Sequence, residues 1–172
     1  MREFYRKTMM LLLMFVLAFS VATVSGVSAN SDESHIHVLK EPDFSTYGAN
    51  PPGSNASTHD LSISNYNYQV RSVGYRVFTD KWLTGASSMK VTVENWELIE
   101  EYGGTNDKIT ISVCQSGFWG DTCTSKVITG LRKGGSDYVT FSNLDSSTKY
   151  YVRFEVPTNS NRYKFNGTIS KS

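Results

Sequence analysis

Apolar and polar residues alternate with a period of two in several short segments of this chain. Clear examples are residues 61–64, 89–94 and 149–156, in which every second side chain is apolar. Such alternation is typical of antiparallel strands with one face in a core and the other in water. Turn sequences rich in Gly, Ser and Asp separate the segments, which predicts seven or eight short strands. We therefore expect an all-β fold, an antiparallel β-sandwich, with a small β-barrel as the alternative.

Residues 30–60 lack this alternation. The segment is rich in Ser, Asn, Asp and Gly, and it holds three of the four prolines of the chain. It predicts a flexible or loosely docked leader, so the β domain is expected to span residues 61–172. His35 and His37 would share one face of a strand here, but no third ligand accompanies them, and we expect no metal site.

Residues 1–29 follow another pattern. Basic residues precede an apolar run from residue 9 to about residue 22, and small and polar residues then lead to Ala29. This order is that of a signal peptide with its cleavage site. The apolar run is shorter than the ~20 residues that a spanning helix needs. We therefore expect cleavage after Ala29 and a secreted, extracellular protein with no transmembrane segment after signal removal.

The charge of the chain excludes one class of partner. Residues 1–29 hold three basic residues and one acidic residue, so the 17 Lys and Arg and the 16 Asp and Glu of the whole chain become 14 and 15 without them. Among residues 30–172, the largest basic cluster is the pair Arg132-Lys133. Binding to nucleic acid needs a basic surface that neutralises phosphates, so we expect none.

Cys114 and Cys123 are the only cysteines, and they flank a short loop between two predicted strands. In an exported protein an even number of cysteines favours a disulfide. Two metal-binding thiolates are the alternative, but they would need further Cys or His ligands, and all three histidines lie in residues 30–60. We expect a disulfide that closes the base of a hairpin loop.

The loop between the cysteines holds Phe118 and Trp119 between two glycines. Loop tips normally face solvent, so the two aromatic rings could anchor a glycan, a cell-wall polymer, a protein partner or a membrane interface. The alternative, which the sequence favours, is that both rings fold back over one end of the core, because isolated apolar surface residues are common. Tyr151 is a third candidate binding residue, since the polar side of its predicted strand would let it stack on a sugar ring.

One stretch resembles a known family. Leu144, Thr148 and Tyr150 match the Leu-x-Pro-x-Thr-x-Tyr motif that precedes a strand in fibronectin type III domains, with Ser146 in the place of the proline. In that family the tyrosine forms a tyrosine corner, in which its hydroxyl bonds to the backbone upstream. The resemblance implies the same structural role for Leu144, Thr148 and Tyr150.

The end of the chain resembles a second family. Residues 150–154 (YYVRF) and 163–165 (YKF) are similar to the last two strands of bacterial pre-peptidase C-terminal domains. Both resemblances imply an antiparallel sandwich with an accessory or binding role. Neither family brings catalytic residues to this chain.

No catalytic arrangement is present in the sequence. There is no Gly-x-Ser-x-Gly motif, and no histidine lies in residues 61–172 to act as a base. We therefore expect a non-enzymatic binding or surface-associated module without a cofactor, with a cell-wall, glycan or protein partner. The alternative is a secreted effector, such as an antimicrobial toxin or a protease inhibitor, that acts through the disulfide-closed loop.

Overall fold

A computed structural model describes residues 45–104 and 107–172 of the chain. Within these residues there are eleven strands and no helix. The strands are β1 (Ser45–Thr46), β2 (Thr58–Asp60), β3 (Tyr66–Val73), β4 (Arg76–Phe78), β5 (Trp82–Thr84), β6 (Met89–Glu100), β7 (Lys108–Gln115), β8 (Thr122–Thr129), β9 (Asp137–Phe141), β10 (Tyr151–Glu155) and β11 (Arg162–Lys171). The predicted signal peptide, residues 1–29, and the two histidines that follow it lie outside the described residues.

Nine of the strands form two sheets. The five-stranded sheet has the order β1-β3-β11-β6-β9, and the four-stranded sheet has the order β4-β10-β7-β8. Every pairing in these sheets is antiparallel except that of β1 with β3. The remaining strands, β2 and β5, form a small parallel pair. The prediction of an all-β antiparallel sandwich is confirmed.

The inner faces of the two sheets share one apolar core. The alternating residues of β6, β7 and β10 meet there, and the fully buried members are Val91, Val93, Ile109, Ile111, Val152 and Phe154. Trp96 stacks on Tyr163 and Phe165, with ring centroids 4.8 Å and 5.6 Å away. Burial of these side chains supplies most of the driving force for folding.

Residues 61–64, predicted as a strand, form a turn, and that prediction is wrong. The Asp60 carboxylate accepts hydrogen bonds from the backbone N–H and the hydroxyl of Ser62, at 2.8 Å and 2.6 Å. The Asp60 carbonyl also accepts one from the N–H of Ile63 at 3.1 Å. Such local bonds from an aspartate compete with strand pairing. Leu61 is buried, but Ile63 is exposed.

Part of the predicted leader contributes to the folded unit. Residues 45–60 include β1 and β2, and Tyr47 packs edge-on against Tyr68 and Phe154 of the core, at 5.2 Å and 5.3 Å between ring centroids. The indole N–H of Trp82 donates a hydrogen bond to the carbonyl of Gly53 at 2.9 Å. The β domain therefore begins ahead of residue 61.

The central strand of the larger sheet, β11, has a β-bulge on each side at the level of Lys164 and Phe165, and a further register shift against β6 between Arg162 and Tyr163. Residues 71 and 72 of β3 both lie opposite Lys164, because Tyr163 pairs with Val73 and Phe165 with Val70. On the other side, residues 95 and 96 of β6 both lie opposite Phe165. Bulges twist a strand locally and re-aim its side chains.

Candidate functional site

The disulfide-closed hairpin is the first candidate site. Strands β7 and β8 pair along their whole length, from Lys108 opposite Thr129 to Gln115 opposite Thr122. Cys114 and Cys123 lie directly opposite each other in this ladder and form a disulfide, with their Cα atoms 4.1 Å apart. The predicted disulfide is confirmed, and it closes the base of the loop as expected.

The loop ends in a tight turn built by two glycines. The N–H of Gly120 donates a hydrogen bond to the carbonyl of Gly117 at 3.2 Å, which places Phe118 and Trp119 at the two central positions. A Cβ atom at position 117 would lie 2.8 Å from the carbonyl oxygen of Gly120, and Gly120 itself has a φ of 119°. A residue larger than glycine would be strained at either position, by the close contact at position 117 and by the positive φ at position 120. The two glycines therefore determine how the aromatic residues between them are presented.

Both aromatic rings of the turn face solvent. Phe118 is 92% exposed and Trp119 is 95% exposed. Their ring centroids lie 5.1 Å apart with the ring planes at 89°, so the rings contact each other edge to face. The prediction that they fold back over the core is wrong. The strand ladder ends at Gln115 and Thr122, so the tip extends beyond the sheet and away from the apolar core.

Tyr151 supports this loop from beneath. It is 2% exposed, and its hydroxyl donates a hydrogen bond to Oδ2 of Asp121, within the loop, at 2.6 Å. Burial, followed by the bond to the Asp121 carboxylate, raises the pKa of Tyr151 to about 12. The hydroxyl therefore stays protonated and keeps donating to Asp121 at neutral pH.

The prediction that Tyr151 is an exposed binding residue is wrong. Its ring packs against Phe78 and Trp82, with centroids 6.0 Å and 5.9 Å away, in a small cluster that also includes Cys114. This cluster is separate from the main core, so the outer face of the smaller sheet is partly covered here. Strand alternation places Tyr151 correctly on the outer face, but it cannot show that Trp82 lies over that face.

A depression adjoins the loop. It has a volume of about 380 Å³ and is lined by Ser54, Trp82, Ser116, Thr148 and Lys149. Three of these residues carry hydroxyl groups and one carries a cation, while Trp82 is largely buried. The sequence did not single out Trp82, because strand β5 is only three residues long and has no visible period. The exposed aromatic turn thus has a polar surface beside it.

The predicted tyrosine-corner residues have a structural role. The hydroxyl of Tyr150 accepts a hydrogen bond from the backbone N–H of Asp145 at 2.9 Å, five residues upstream. The Thr148 hydroxyl donates to the Asp145 carboxylate at 3.2 Å, and Leu144 packs against the core. These contacts are of the kind that a tyrosine corner makes. They hold the turn before β10 and so support the neighbouring depression.

In residues 45–104 and 107–172, no group of three His, Cys, Asp or Glu side chains lies close enough together to hold a metal ion. In the same part of the chain, no helix has the length and apolar character needed to cross a membrane.

Comparison with known proteins brings no relative. No protein-family model, no curated protein sequence and no solved structure matches this chain. The resemblances to fibronectin type III and pre-peptidase C-terminal domains therefore stay predictions.

Proposed function

We propose that this protein is a secreted, non-enzymatic binding module that docks on a protein partner through the Phe118–Trp119 turn. The observation that carries the proposal is the nearly complete exposure of two large aromatic rings at a constrained tip. Contiguous exposed apolar groups often mark interaction sites, and aromatic residues are enriched among the residues that dominate binding energy. The disulfide supports an oxidising, extracellular location.

The shape of the tip favours a macromolecular partner. Small ligands bind in concave pockets that cover most of their surface, whereas this turn projects from the end of a hairpin. The two rings stand nearly perpendicular, so they form a wedge and not a flat platform for a sugar ring. A wedge of this kind fits an apolar pocket on another protein.

The charge of the loop argues against a membrane surface as the partner. The loop between the cysteines holds no Lys or Arg, and its one charged residue is the acidic Asp121. Anionic lipid surfaces attract basic segments, so the loop lacks that contribution. A protein pocket needs no such charge, because burial of the two apolar rings is favourable in itself.

The loop is ordered before binding. The disulfide, the bond between Gly120 and Gly117, and the bond from Tyr151 to Asp121 each restrict it. A contact segment that is already ordered loses less conformational entropy on binding. These constraints explain why a protein would build two glycines and a disulfide around two apolar side chains.

A secreted effector is the second candidate function. An antimicrobial toxin could use the same turn to reach its target. A protease inhibitor that imitates a peptide substrate needs an extended segment able to pair as a strand. Phe118 and Trp119 occupy a tight turn instead, which makes inhibition the less supported form of this alternative.

Site-directed photocrosslinking tests the proposed function. A photoreactive phenylalanine analogue is placed at position 118, and in a control protein at Tyr138, an exposed aromatic residue of the larger sheet. Each protein is incubated with intact cells, purified cell wall and host proteins. We expect a defined protein adduct from position 118 and none from position 138.

The affinity for the captured protein is then measured directly. Trp119→Ala should weaken binding by about 30-fold or more, as expected for a residue that contributes at least about 2 kcal/mol. Tyr138→Ala should bind as the parent does. If Trp119→Ala displaces the parent from the captured protein as well as the parent itself does at the same concentration, the proposed docking mode is rejected.

A further inference from the structure

A second depression lies on the outer face of the five-stranded sheet, on a different sheet from the aromatic turn. Its volume is about 200 Å³, and the polar residues that line it are Gln69, Arg71, Asn95, Lys164 and Asn166. It occurs at the level where both neighbours of β11 are bulged. At these bulges the sheet departs from the regular pleat of a flat face.

Asn95 has an unusual backbone conformation at this point. Its φ is 53°, in the left-handed region that few residues other than glycine adopt and that asparagine tolerates better than most. The bulge lets its side-chain amide donate a hydrogen bond to Oδ1 of Asn166 at 2.9 Å. Such outliers occur more often at binding sites than elsewhere.

The amide groups leave hydrogen-bonding capacity at the depression. The pair formed by Asn95 and Asn166 uses one donor and one acceptor, so an acceptor remains on Asn95 and donors remain on Asn166. Gln69 accepts only a long bond of 3.5 Å, from Nε of Arg71. Adjacent donors and acceptors of this kind suit the neighbouring hydroxyl groups of a sugar ring, each of which both donates and accepts.

Two cationic side chains, Arg71 and Lys164, line the depression. Lys164 and Lys133 share the carboxylate of Glu97, at 2.7 Å and 3.1 Å, and these bonds lower the pKa of Glu97. A second carboxylate, that of Glu94, lies beside the depression, because Glu94 pairs with Asn166 in the sheet. In the described chain no carboxylate oxygen lies within 4.0 Å of the Arg71 guanidinium, which is therefore available to an anion.

We propose that this depression binds one carboxylated sugar ring, such as a uronate unit of an acidic polysaccharide. Arg71 pairs with the sugar carboxylate, since a guanidinium matches a carboxylate with two parallel hydrogen bonds. Asn95, Asn166 and Gln69 bond to the ring hydroxyls. The volume is below the ~300 Å³ at which pockets for drug-sized molecules begin, which limits the ligand to a single ring.

Titration followed by NMR tests this site with defined probes. Sodium D-glucuronate is the ligand, D-glucose the neutral control and sodium acetate the control for charge alone. We expect glucuronate to shift the side-chain amide signals of Asn95, Asn166 and Gln69 with an affinity near 1 mM, a value reasonable for so small a ligand. Glucose and acetate should each bind about tenfold more weakly. Equal binding of acetate or glucose would overturn the assignment to an acidic sugar.

Two variants separate binding from folding. Arg71→Gln should lose about tenfold in affinity for glucuronate and keep the weak affinity for glucose, since it removes a charge-assisted bond. Arg132→Gln, which changes an exposed arginine outside the depression, is the matched control and should bind as the parent does. If both variants bind glucuronate like the parent, the site is rejected.

Asn95→Gly tests the strained residue. Glycine accepts the positive φ at this position, so the fold is retained while the amide is removed. We expect unchanged thermal stability and at least a fivefold loss of glucuronate affinity. Unchanged affinity would show that Asn95 serves only the bulge and would overturn its assigned contact. Trp119→Ala should bind glucuronate normally, so a failure here and a failure of the proposed docking turn are distinguishable.

Discussion

Replacement of Trp119 by alanine is expected to leave the stability of the folded protein almost unchanged. A fully covered tryptophan buries about 200 Å². Trp119 is 95% exposed, so only about one twentieth of its surface is covered. At about 25 cal/mol per Å², burial of that surface contributes ~0.3 kcal/mol to the free energy of unfolding. The same arithmetic gives about 5 kcal/mol for Trp96, which is 1% exposed. Substitutions of buried aromatic residues by alanine typically cost about 3–5 kcal/mol.

The free energies of unfolding of the Trp119→Ala and Trp96→Ala variants are measured by urea unfolding, monitored by far-ultraviolet circular dichroism. Trp119→Ala should unfold at the urea concentration of the parent, and its remaining tryptophan fluorescence should be less accessible to acrylamide. Trp96→Ala is the contrasting variant, with Trp96→Phe as the milder change if the alanine variant does not fold. A loss of more than about 1 kcal/mol in Trp119→Ala would show that the ring packs against the protein, and the argument for an exposed anchor would fail.

Three further outcomes are expected. Replacing Cys114 and Cys123 together by alanine should lower the free energy of unfolding by about 2.6 kcal/mol, because the disulfide closes a loop with a sequence separation of nine. A loss below about 1 kcal/mol in urea unfolding would contradict this prediction. The raised pKa of Tyr151 stabilises the folded state below pH 10, and this contribution is lost as the pH rises towards 12. Between pH 9 and pH 11 the free energy of unfolding should therefore fall less in Tyr151→Phe than in the parent. Equal falls in the two proteins would argue against a perturbed hydroxyl. Tyr150→Phe removes the acceptor for the N–H of Asp145 and should lower the free energy of unfolding by about 1 kcal/mol, measured by thermal unfolding. An unchanged melting temperature would mean that water replaces the hydrogen bond.

The longer strands were predictable because their period is local. β6 and β11 bury alternate residues over most of their length, as a strand with one face in a core must. In β7 and β10 the alternate residues also face the shared core, but Cys114 and Tyr151 are buried on the other face as well. Four strands of two or three residues, β1, β2, β4 and β5, are too short to show a period. In residues 61–64 the alternation was present, but the hydrogen bonds of Asp60 formed a turn instead.

The candidate site was only partly predictable. A pair of cysteines flanking a loop suffices to predict the disulfide, and the Gly117 to Gly120 motif marks the turn. The direction of the aromatic rings depends on where the ladder of β7 and β8 ends relative to the core. Burial of Tyr151 depends on Trp82, which lies 69 positions away in the chain. Neither relation has a local signal.

The sequence by itself determined the all-β class and the one disulfide, because strand periodicity and cysteine pairing are properties of short segments. It also carries the export signal, which remains a prediction. Only the tertiary structure decided that Phe118 and Trp119 face solvent, that Tyr151 does not, and that a polar depression lies beside β11. The reason is the same in each case. Exposure at a given residue is set by what the packed strands and loops place over it. That arrangement, like the bulged pairing of β3 and β6 with β11, has no signal in a short segment of sequence.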